Sequence, residues 1–157
     1  MAVVIAGERP DSPDARRLIL ELEAHLEPRY PAESRHGFSV ERLLAEGVEF
    51  FVLRVDGDAA ACGGLLFVPA AAGEPAYGEV KRMYVCPAFR GRGFGLAILD
   101  HLAAEARARD VGILRLETGI HQVEAIGLYE RAGFRAIDAF GPYRDDPLSR
   151  FYELRLE

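Results

Sequence analysis

The chain has 157 residues, of which half are hydrophobic, and its formal net charge at pH 7 is −6. This length and apolar content favour one folded domain over residues 1–157 and argue against disorder. The acidic charge argues against nucleic acid as a partner, and no apolar run is long enough to cross a membrane.

The first residues and the cysteines bear on location and on metals. Residues 2–6 form an apolar run that is too short for a signal peptide and lacks a basic lead-in, so we expect a cytoplasmic protein. Cys62 and Cys86 are too few for a disulfide framework or a zinc site. We therefore expect no bound metal.

The first third of the chain predicts a strand and two helices. Ala2 to Gly7 is apolar and partly β-branched, which is typical of a strand. Ser12-Pro13 has the form of a helix N-cap followed by proline, and the apolar residues after it recur with helical spacing: Ala15, Leu18, Ile19, Leu22 and Leu26. After a loop, Ser39 is positioned to cap a short helix over 40–45.

Three strands are predicted next. Val48 to Val55 and Ala59 to Val68 flank Asp56-Gly57, which is a strong hairpin signal. Gly63-Gly64 inside the second of these strands indicates a bulge or a close backbone approach. Tyr77 to Val85 is the third strand, and it leads directly into a glycine-rich loop.

The loop Arg90-Gly91-Arg92-Gly93-Phe94-Gly95 lies between that strand and a helix predicted over 96–108. Glycine at every second position lets backbone N–H groups approach an anion, and the following helix adds the positive end of its dipole. This arrangement favours a pyrophosphate cradle, and the alternative is a plain surface turn. Phe94 and the lack of a Lys-Ser/Thr pair argue against an ATP-binding P-loop.

The last third predicts alternating strands and a helix. Ile113 to Thr118 should run parallel to Tyr77–Val85, because a right-handed β-helix-β crossover joins them. Val123 to Ala132 is predicted as a helix that ends at Gly133. Two final strands, over 134–140 and 149–156, complete a mixed α/β sheet in one domain.

Two segments share a wider pattern. The loop reads Arg90-x-x-Gly93-x-Gly95, and a later segment reads Gln122-x-x-Ala125-Ile126-x-Leu128-Tyr129-Glu130-x-x-Gly133-Phe134. Together with the order of elements, they resemble the GNAT superfamily of acetyl-CoA-dependent N-acetyltransferases over nearly the whole chain. The resemblance implies an α/β (α+β) fold in a single domain, with a mostly antiparallel mixed sheet, a central splayed parallel strand pair and helices on both faces.

The resemblance also implies a cofactor site for acetyl-CoA as co-substrate. The backbone from Arg90 to Gly95 would hold the pyrophosphate, and the strand residues Met83, Tyr84 and Val85 would lie along the pantetheine arm. Tyr129 matches a tyrosine that hydrogen-bonds the CoA sulfur in many members. Gln122 stands where the family often has asparagine, so its contact with pantetheine is an open point.

The chemistry of amine acetylation asks for a base near the amine. Glu79 begins the strand that ends at the loop, at the offset of the catalytic glutamate in some members; the alternative is a structural carboxylate paired with Lys81, since alternate strand residues share a face. Glu117 closes the neighbouring parallel strand and is the rival candidate. The alternative for Glu117 is a helix-capping or structural carboxylate.

Acceptor residues are harder to assign from the sequence. His36, the sole lysine Lys81 and Tyr143 are candidates, each with a structural or solvated alternative. We expect transfer of acetyl to a primary amine of a small molecule or amino acid in a ternary complex. A protein or peptide amine, and a non-catalytic acyl-CoA-binding sensor, are the alternatives. Homodimers are common in the family but have no readable signature here.

Overall fold

The structure, a computed structural model, describes all residues from 1 to 157. In chain order the elements are β1 (Val3–Gly7), α1 (Pro13–Leu26), α2 (Val40–Ala45), β2 (Glu49–Val55), β3 (Asp58–Val68), β4 (Tyr77–Val85), α3 (Phe94–Ala108), β5 (Ile113–Gly119), α4 (Val123–Arg131), β6 (Arg135–Ile137) and β7 (Ser149–Arg155). No helix is both long and apolar enough to span a membrane.

The strands form one seven-stranded sheet in the order β1-β2-β3-β4-β5-β7-β6. Every neighbouring pair is antiparallel except β4 and β5, which run parallel because α3 connects them. The predicted mixed, mostly antiparallel sheet with one central parallel pair is therefore confirmed. The strand predicted over 134–140 is shorter in the structure, where β6 has only three residues and pairs with β7 alone.

Local signals in the sequence fix most of the element boundaries. Ser12 Oγ accepts a hydrogen bond from Ala15 N at 3.1 Å at the start of α1, and Ser39 Oγ accepts one from Arg42 N at the start of α2. Asp56 and Gly57 both have positive φ angles, as the predicted β2–β3 hairpin turn requires.

Helices cover both faces of the sheet, as predicted. One core cluster packs α3 and α4 against one face, with Ile98, Leu102 and Tyr129 among its members. A second cluster packs α1 and α2 against the other face through residues such as Leu18 and Leu43. The sheet is thus the middle layer of three, and residues that alternate along its strands serve different cores.

A bulge interrupts the alternation in β4. The register with β3 shifts between Cys62 and Gly64, and the buried Arg82 on β4 has a φ angle of 57°. Lys81 and Arg82 consequently lie on the same face, the one covered by α1 and α2. The sequence predicted an irregularity at Gly63-Gly64, but the residue with the left-handed backbone is on the partner strand.

Candidate active site

A cleft opens where β4 and β5 part. The two strands pair only through Gly78 with Leu114 and Glu79 with Arg115, although both continue for several residues beyond. Beyond Glu79, the edge of β4 that faces β5 has no strand partner, so part of its backbone is free to bond a ligand. The cleft is lined by residues of β4, β5, α4 and the α1–α2 loop.

Glu117 faces this cleft near the end of β5. Burial raises the pKa of Glu117 to about 7, against a smaller opposing effect of the hydrogen bond that Ser149 Oγ donates to Oε2 at 2.8 Å. Its carboxyl therefore changes protonation near neutral pH, which is the property required of a general base for an amine.

Tyr129 lines the same cleft from α4. Its ring is buried and packs against Phe134 and Tyr152, with centroid separations of 5.7 and 6.4 Å. Burial raises the pKa of Tyr129 well above its usual value, so the hydroxyl is a hydrogen-bond donor and a very weak acid. The hydroxyl makes no hydrogen bond within the chain, which leaves it free for a ligand in the cleft.

Glu79, Lys81 and Tyr143 form a closed triangle beside the cleft. Lys81 Nζ lies 3.0 Å from Glu79 Oε2 and donates to the Tyr143 hydroxyl oxygen at 2.8 Å, while that hydroxyl donates to Glu79 Oε2 at 2.5 Å. Both members of the Glu79–Lys81 pair are about 5% exposed at the side chain. The contacts of Glu79 are therefore those expected of a structural carboxylate paired with Lys81.

Lys81 has no donor to spare for a substrate. Its third contact is the His36 carbonyl oxygen at 3.5 Å, and the ammonium lies 4.0 Å from the centroid of the Phe38 ring. Burial lowers the pKa of Lys81, and the nearby Glu79 opposes that shift. Burial also lowers the pKa of His36, whose ring packs edge-on against Tyr143.

A second cavity, of about 830 Å³, lies on the other side of the triangle and is called the outer cavity below. Its walls come from the α1–α2 loop, α2, the edges of β3 and β4 and the β6–β7 loop. Glu79, Lys81, Tyr143 and His36 line both this cavity and the cleft. The three candidate acceptor residues therefore lie together, at the boundary between the two spaces.

The glycine loop has the backbone that its sequence predicts. Gly91 and Gly93 have φ angles of 78° and 82°, and a Cβ on either would point into open space. Gly95 is packed instead, because a Cβ there would lie 2.7 Å from Leu128. Gly93 precedes α3, whose first-turn N–H groups have no helical acceptor. The loop therefore presents free donors on an accessible surface.

The arginines of the loop are partly engaged. Arg90 Nε donates to the Val85 carbonyl oxygen at 2.9 Å, which ties the loop to the end of β4. The Arg92 guanidinium lies 5.7 Å from the centroid of the Phe89 ring. Both side chains leave further N–H donors for phosphate oxygens.

The remaining predicted cofactor residues have different surroundings. Met83 and Val85 pack toward α3, and Met83 also lines the cleft. Tyr84 points to the opposite face, where its hydroxyl donates to Glu21 at 3.0 Å, so only its backbone could serve a cofactor. Gln122 lines the cleft, but its Oε1 is 3.0 Å from His25 Nε2 on α1.

Three residues of the α1–α2 loop have positions at the site that were not predicted from the sequence. Ser34 Oγ donates to Asp146 Oδ2 at 2.7 Å and joins the α1–α2 loop to the β6–β7 loop. Tyr30 packs over Gly119, where a Cβ would lie 2.1 Å from its ring, and its hydroxyl accepts from His121 N. Arg35 lines both cavities. The glycine at 119 was the one local signal of such a close approach.

No cluster of three or more His, Cys, Asp or Glu side chains is arranged to hold a metal ion. The free backbone N–H groups of the site fit coenzyme A better than they fit a metal ion. An open loop rich in N–H groups suits a pyrophosphate, and an unpaired strand edge beside a cleft suits an amide-containing arm.

Comparison with known sequences places these features in a family. A family model described as acetyltransferase (GNAT) family matches residues 15–134. The chain is 42% identical over 151 residues to an Azospirillum brasilense protein named IAA acetyltransferase, with 96% of each chain covered. It is 33% identical over 128 residues to the Escherichia coli K12 protein named uncharacterized N-acetyltransferase YedL, covering 80% of this chain and 77% of that one.

Solved structures show the same fold. A Klebsiella pneumoniae protein described as an acyl-CoA N-acyltransferase has a TM-score of 0.79 at 36% identity, covering 99% of this chain and 98% of that one. A GNAT family acetyltransferase from Elizabethkingia anophelis, solved with acetyl-CoA bound, has a TM-score of 0.69 at 17% identity and 98% coverage of each chain. Because the family model spans most of the sequence and the Azospirillum relative nearly all of it, this chain belongs to the GNAT family of acetyltransferases.

Proposed function

We propose that the protein transfers an acetyl group from acetyl-CoA to a primary amine of a small molecule or amino acid, directly and in a ternary complex. The observation that carries this proposal is the cleft between β4 and β5. It holds the half-buried carboxyl of Glu117, whose pKa burial raises to about 7, and the unpartnered hydroxyl of Tyr129. The glycine loop follows β4 closely along the chain.

The cofactor site follows from the family and from the donors present. Acetyl-CoA supplies a thioester whose acyl carbon is open to attack by an amine. The N–H groups of residues 90–95 are the proposed pyrophosphate ligands, and the free edge of β4 near Met83 is the proposed partner of the pantetheine arm. Gln122 would contact the pantetheine arm through its backbone, or through its side chain once the hydrogen bond between that side chain and His25 is broken.

Glu117 is the proposed general base. An alkyl ammonium has a pKa near ~10.4, so about one molecule in 10³ is neutral at pH 7. A carboxylate with a pKa near neutrality takes up the amine proton more readily than an ordinary one. Glu79 is less suited to this role, because Lys81 and Tyr143 already occupy its Oε2.

Tyr129 is the proposed partner of the departing sulfur. As the new C–N bond forms and the C–S bond breaks, the thiolate gains charge and needs a donor. Because the pKa of Tyr129 is raised, its hydroxyl stabilises that charge by a hydrogen bond. The proton that the thiol finally carries comes from the amine, through Glu117 or water.

The outer cavity supports a small acceptor. Its volume of about 830 Å³ falls within the range of small-molecule pockets. The Ser34–Asp146 hydrogen bond holds two of its bordering loops together, which restricts entry of an extended chain.

The test is a screen of acetyl-CoA turnover by thiol release across amines, amino acids and short peptides. IAA, which appears in the name of the Azospirillum relative, belongs in the panel. Turnover concentrated among small amines and amino acids is the expected result. Turnover confined to peptides would move the acceptor to a polypeptide, and tight CoA binding without any turnover would indicate a sensor.

A further inference from the structure

Arg35 carries a buried guanidinium nitrogen that lacks a partner. Its Nε atom is shielded from solvent and makes no hydrogen bond. Its one carboxylate contact is the approach of Nη1 to Glu23 Oε2 at 3.9 Å, which is too long for a hydrogen bond. A charged donor removed from water without an acceptor is costly, so this nitrogen is suited to a partner from outside the chain.

Arg35 is half-buried, with a side chain 28% exposed, and the two buried arginines of the chain differ from it in having partners at Nε. Arg82 donates from Nε to the Phe38 carbonyl oxygen at 2.9 Å and is paired with Glu23. Arg115 donates from Nε to Glu153 Oε1 at 2.9 Å. Because Arg82 already engages Glu23, that carboxylate offers Arg35 only the distant contact.

Arg35 lies where an acceptor would sit, since it lines both the cleft and the outer cavity. The ionisable groups beside it already have hydrogen-bond partners within the chain or are uncharged. Glu79 and Lys81 pair with each other, and Asp146 accepts a hydrogen bond at each of its oxygens. Burial lowers the pKa of His36, which favours the uncharged form of its ring.

Exposed charges at the rim of the outer cavity are of both signs, two positive and three negative. They are Arg42, Arg144, Glu33, Glu46 and Asp145. Of the arginine and lysine side chains that line both the cleft and the outer cavity, Lys81 is paired with Glu79 and only Arg35 lacks a hydrogen-bonded carboxylate. Arg35 faces the same cleft as Glu117 and Tyr129.

We propose that Arg35 binds a carboxylate of the acceptor, and hence that the acceptor is an amine that also carries a carboxylate, as an amino acid does. This inference rests on the proposed function and narrows its substrate class. The forked N–H donors of a guanidinium match the two oxygens of a carboxylate, and the charge strengthens both hydrogen bonds.

The experiment compares matched acceptors that differ only in the carboxylate. Each of the common L-amino acids is paired with the amine that lacks its α-carboxylate, for example L-phenylalanine with 2-phenylethylamine, and thiol release from acetyl-CoA is measured. For the preferred pair, kcat/KM should be at least about tenfold higher for the amino acid. Arg35→Gln should lower that value about 10- to 100-fold and leave the value for the amine within about twofold.

Two further variants serve as controls. Arg107→Gln removes an exposed guanidinium from α3, away from both cavities, and should change neither member of the pair. Arg35→Lys keeps the charge and loses the fork, so it should give an intermediate loss and replaces Arg35→Gln if that variant does not fold.

The outcomes separate this inference from the proposed function. Equal turnover of both members in the wild type, or a parallel loss of both in the Arg35 variant, contradicts the carboxylate role and leaves amine acetylation standing. A CoA affinity that falls tenfold in Arg35→Gln, measured by calorimetry, would make Arg35 a cofactor ligand and overturn the inference. No thiol release from any amine contradicts the proposed function, and the inference with it.

Discussion

At the scale of single residues, the two candidate carboxylates differ in what already surrounds them. Glu79 and Lys81 are neighbours on one face of β4, so their pairing was open to prediction from strand alternation. Tyr143 completes the triangle from 62 residues further along the chain than Lys81, and no local pattern gives such a contact. The raised pKa of Glu117 depends on burial at the end of β5, which the sequence also does not show.

Glu117→Gln tests the base. The wild-type kcat should rise with pH through about 7, because the carboxyl must lose its proton to act. The variant should lose this acidic limb and about 10²-fold or more of kcat at pH 8. Glu79→Gln is the matched control and should keep the limb; the opposite pattern would return the role to Glu79.

The same variant has a consequence for stability. A carboxyl whose pKa is higher in the folded than in the unfolded state makes the fold less stable as pH rises from about 4.5 through about 7. Glu117→Gln removes this penalty, so above pH 7 it should gain on the order of 1–3 kcal/mol in the free energy of unfolding. Urea unfolding at pH 5 and pH 8 measures the difference, and an equal change at both pH values would be inconsistent with the raised pKa.

Tyr129→Phe tests the hydroxyl in the cleft. Because that hydroxyl has no partner in the chain, its removal should leave the melting temperature within about 2 °C, as no hydrogen bond is broken. The kcat should fall about 10- to 100-fold while CoA affinity changes less than about twofold. Tyr152→Phe, whose hydroxyl bonds Glu130 instead, should leave kcat unchanged. Parallel losses of kcat and affinity would mean a packing role.

Lys81→Arg tests whether the sole lysine is required. The ammonium is held among Glu79, Tyr143 and the Phe38 ring, and a planar guanidinium is too large for that space. We expect a loss of roughly 1–3 kcal/mol in the free energy of unfolding and a fall in activity, because Tyr143 would be displaced. Wild-type stability and turnover would show that the choice of lysine is incidental.

At the scale of elements, short-range signals predicted most of the fold. The caps at Ser12 and Ser39, the Asp56-Gly57 turn and the glycine at 133 act through adjacent backbone, so the sequence reveals them. The bulge at Arg82 could not be read in the same way. Its left-handed backbone lies on a non-glycine residue and is held by contacts with distant Glu23 and Phe38.

Gly93→Glu tests the glycine loop as an element. The substitution adds a negative charge and a side chain where the pyrophosphate is proposed to lie, and CoA affinity should fall at least about 100-fold. Gly73→Glu is a matched control, because Gly73 has a φ of 83° against 82° for Gly93 and equally open surroundings. Both variants should lose similar stability, and unchanged CoA binding by Gly93→Glu would refute the cradle.

At the scale of the whole molecule, the sheet consists of two parts with a narrow join. Strands β1–β4 and β5–β7 meet through two residue pairs of β4 and β5, supported by α3. A ligand that binds along both strands in the cleft would hold the two parts together. The family and the splay were predicted from two motifs that the fold brings together, since Gly95 packs against Leu128, whereas the lining of the cleft required the fold.

A thermal shift with CoA tests this organisation. At 100 times its dissociation constant, a ligand specific for the folded state adds about 2.7 kcal/mol. For a chain of this length, we expect the melting temperature to rise by roughly 5–10 °C. The rise should be absent in Gly93→Glu and present in Gly73→Glu. Amide hydrogen exchange should slow most along β4 beyond Glu79, and a change confined to the loop would place CoA outside the cleft.

The bulge at Arg82 changes, within the nine residues of β4, the face of the sheet to which the odd-numbered side chains point. Before it, the odd-numbered side chains Glu79 and Lys81 face α1 and α2; after it, the odd-numbered Met83 and Val85 face α3. One strand therefore carries the proposed acceptor surface and the proposed cofactor surface on side chains of opposite orientation. If these proposed roles hold, substitutions before the bulge can change the acceptor while the residues after it, which are proposed to serve the acetyl donor, stay unchanged, and the bulge makes acceptor choice and donor binding separable traits.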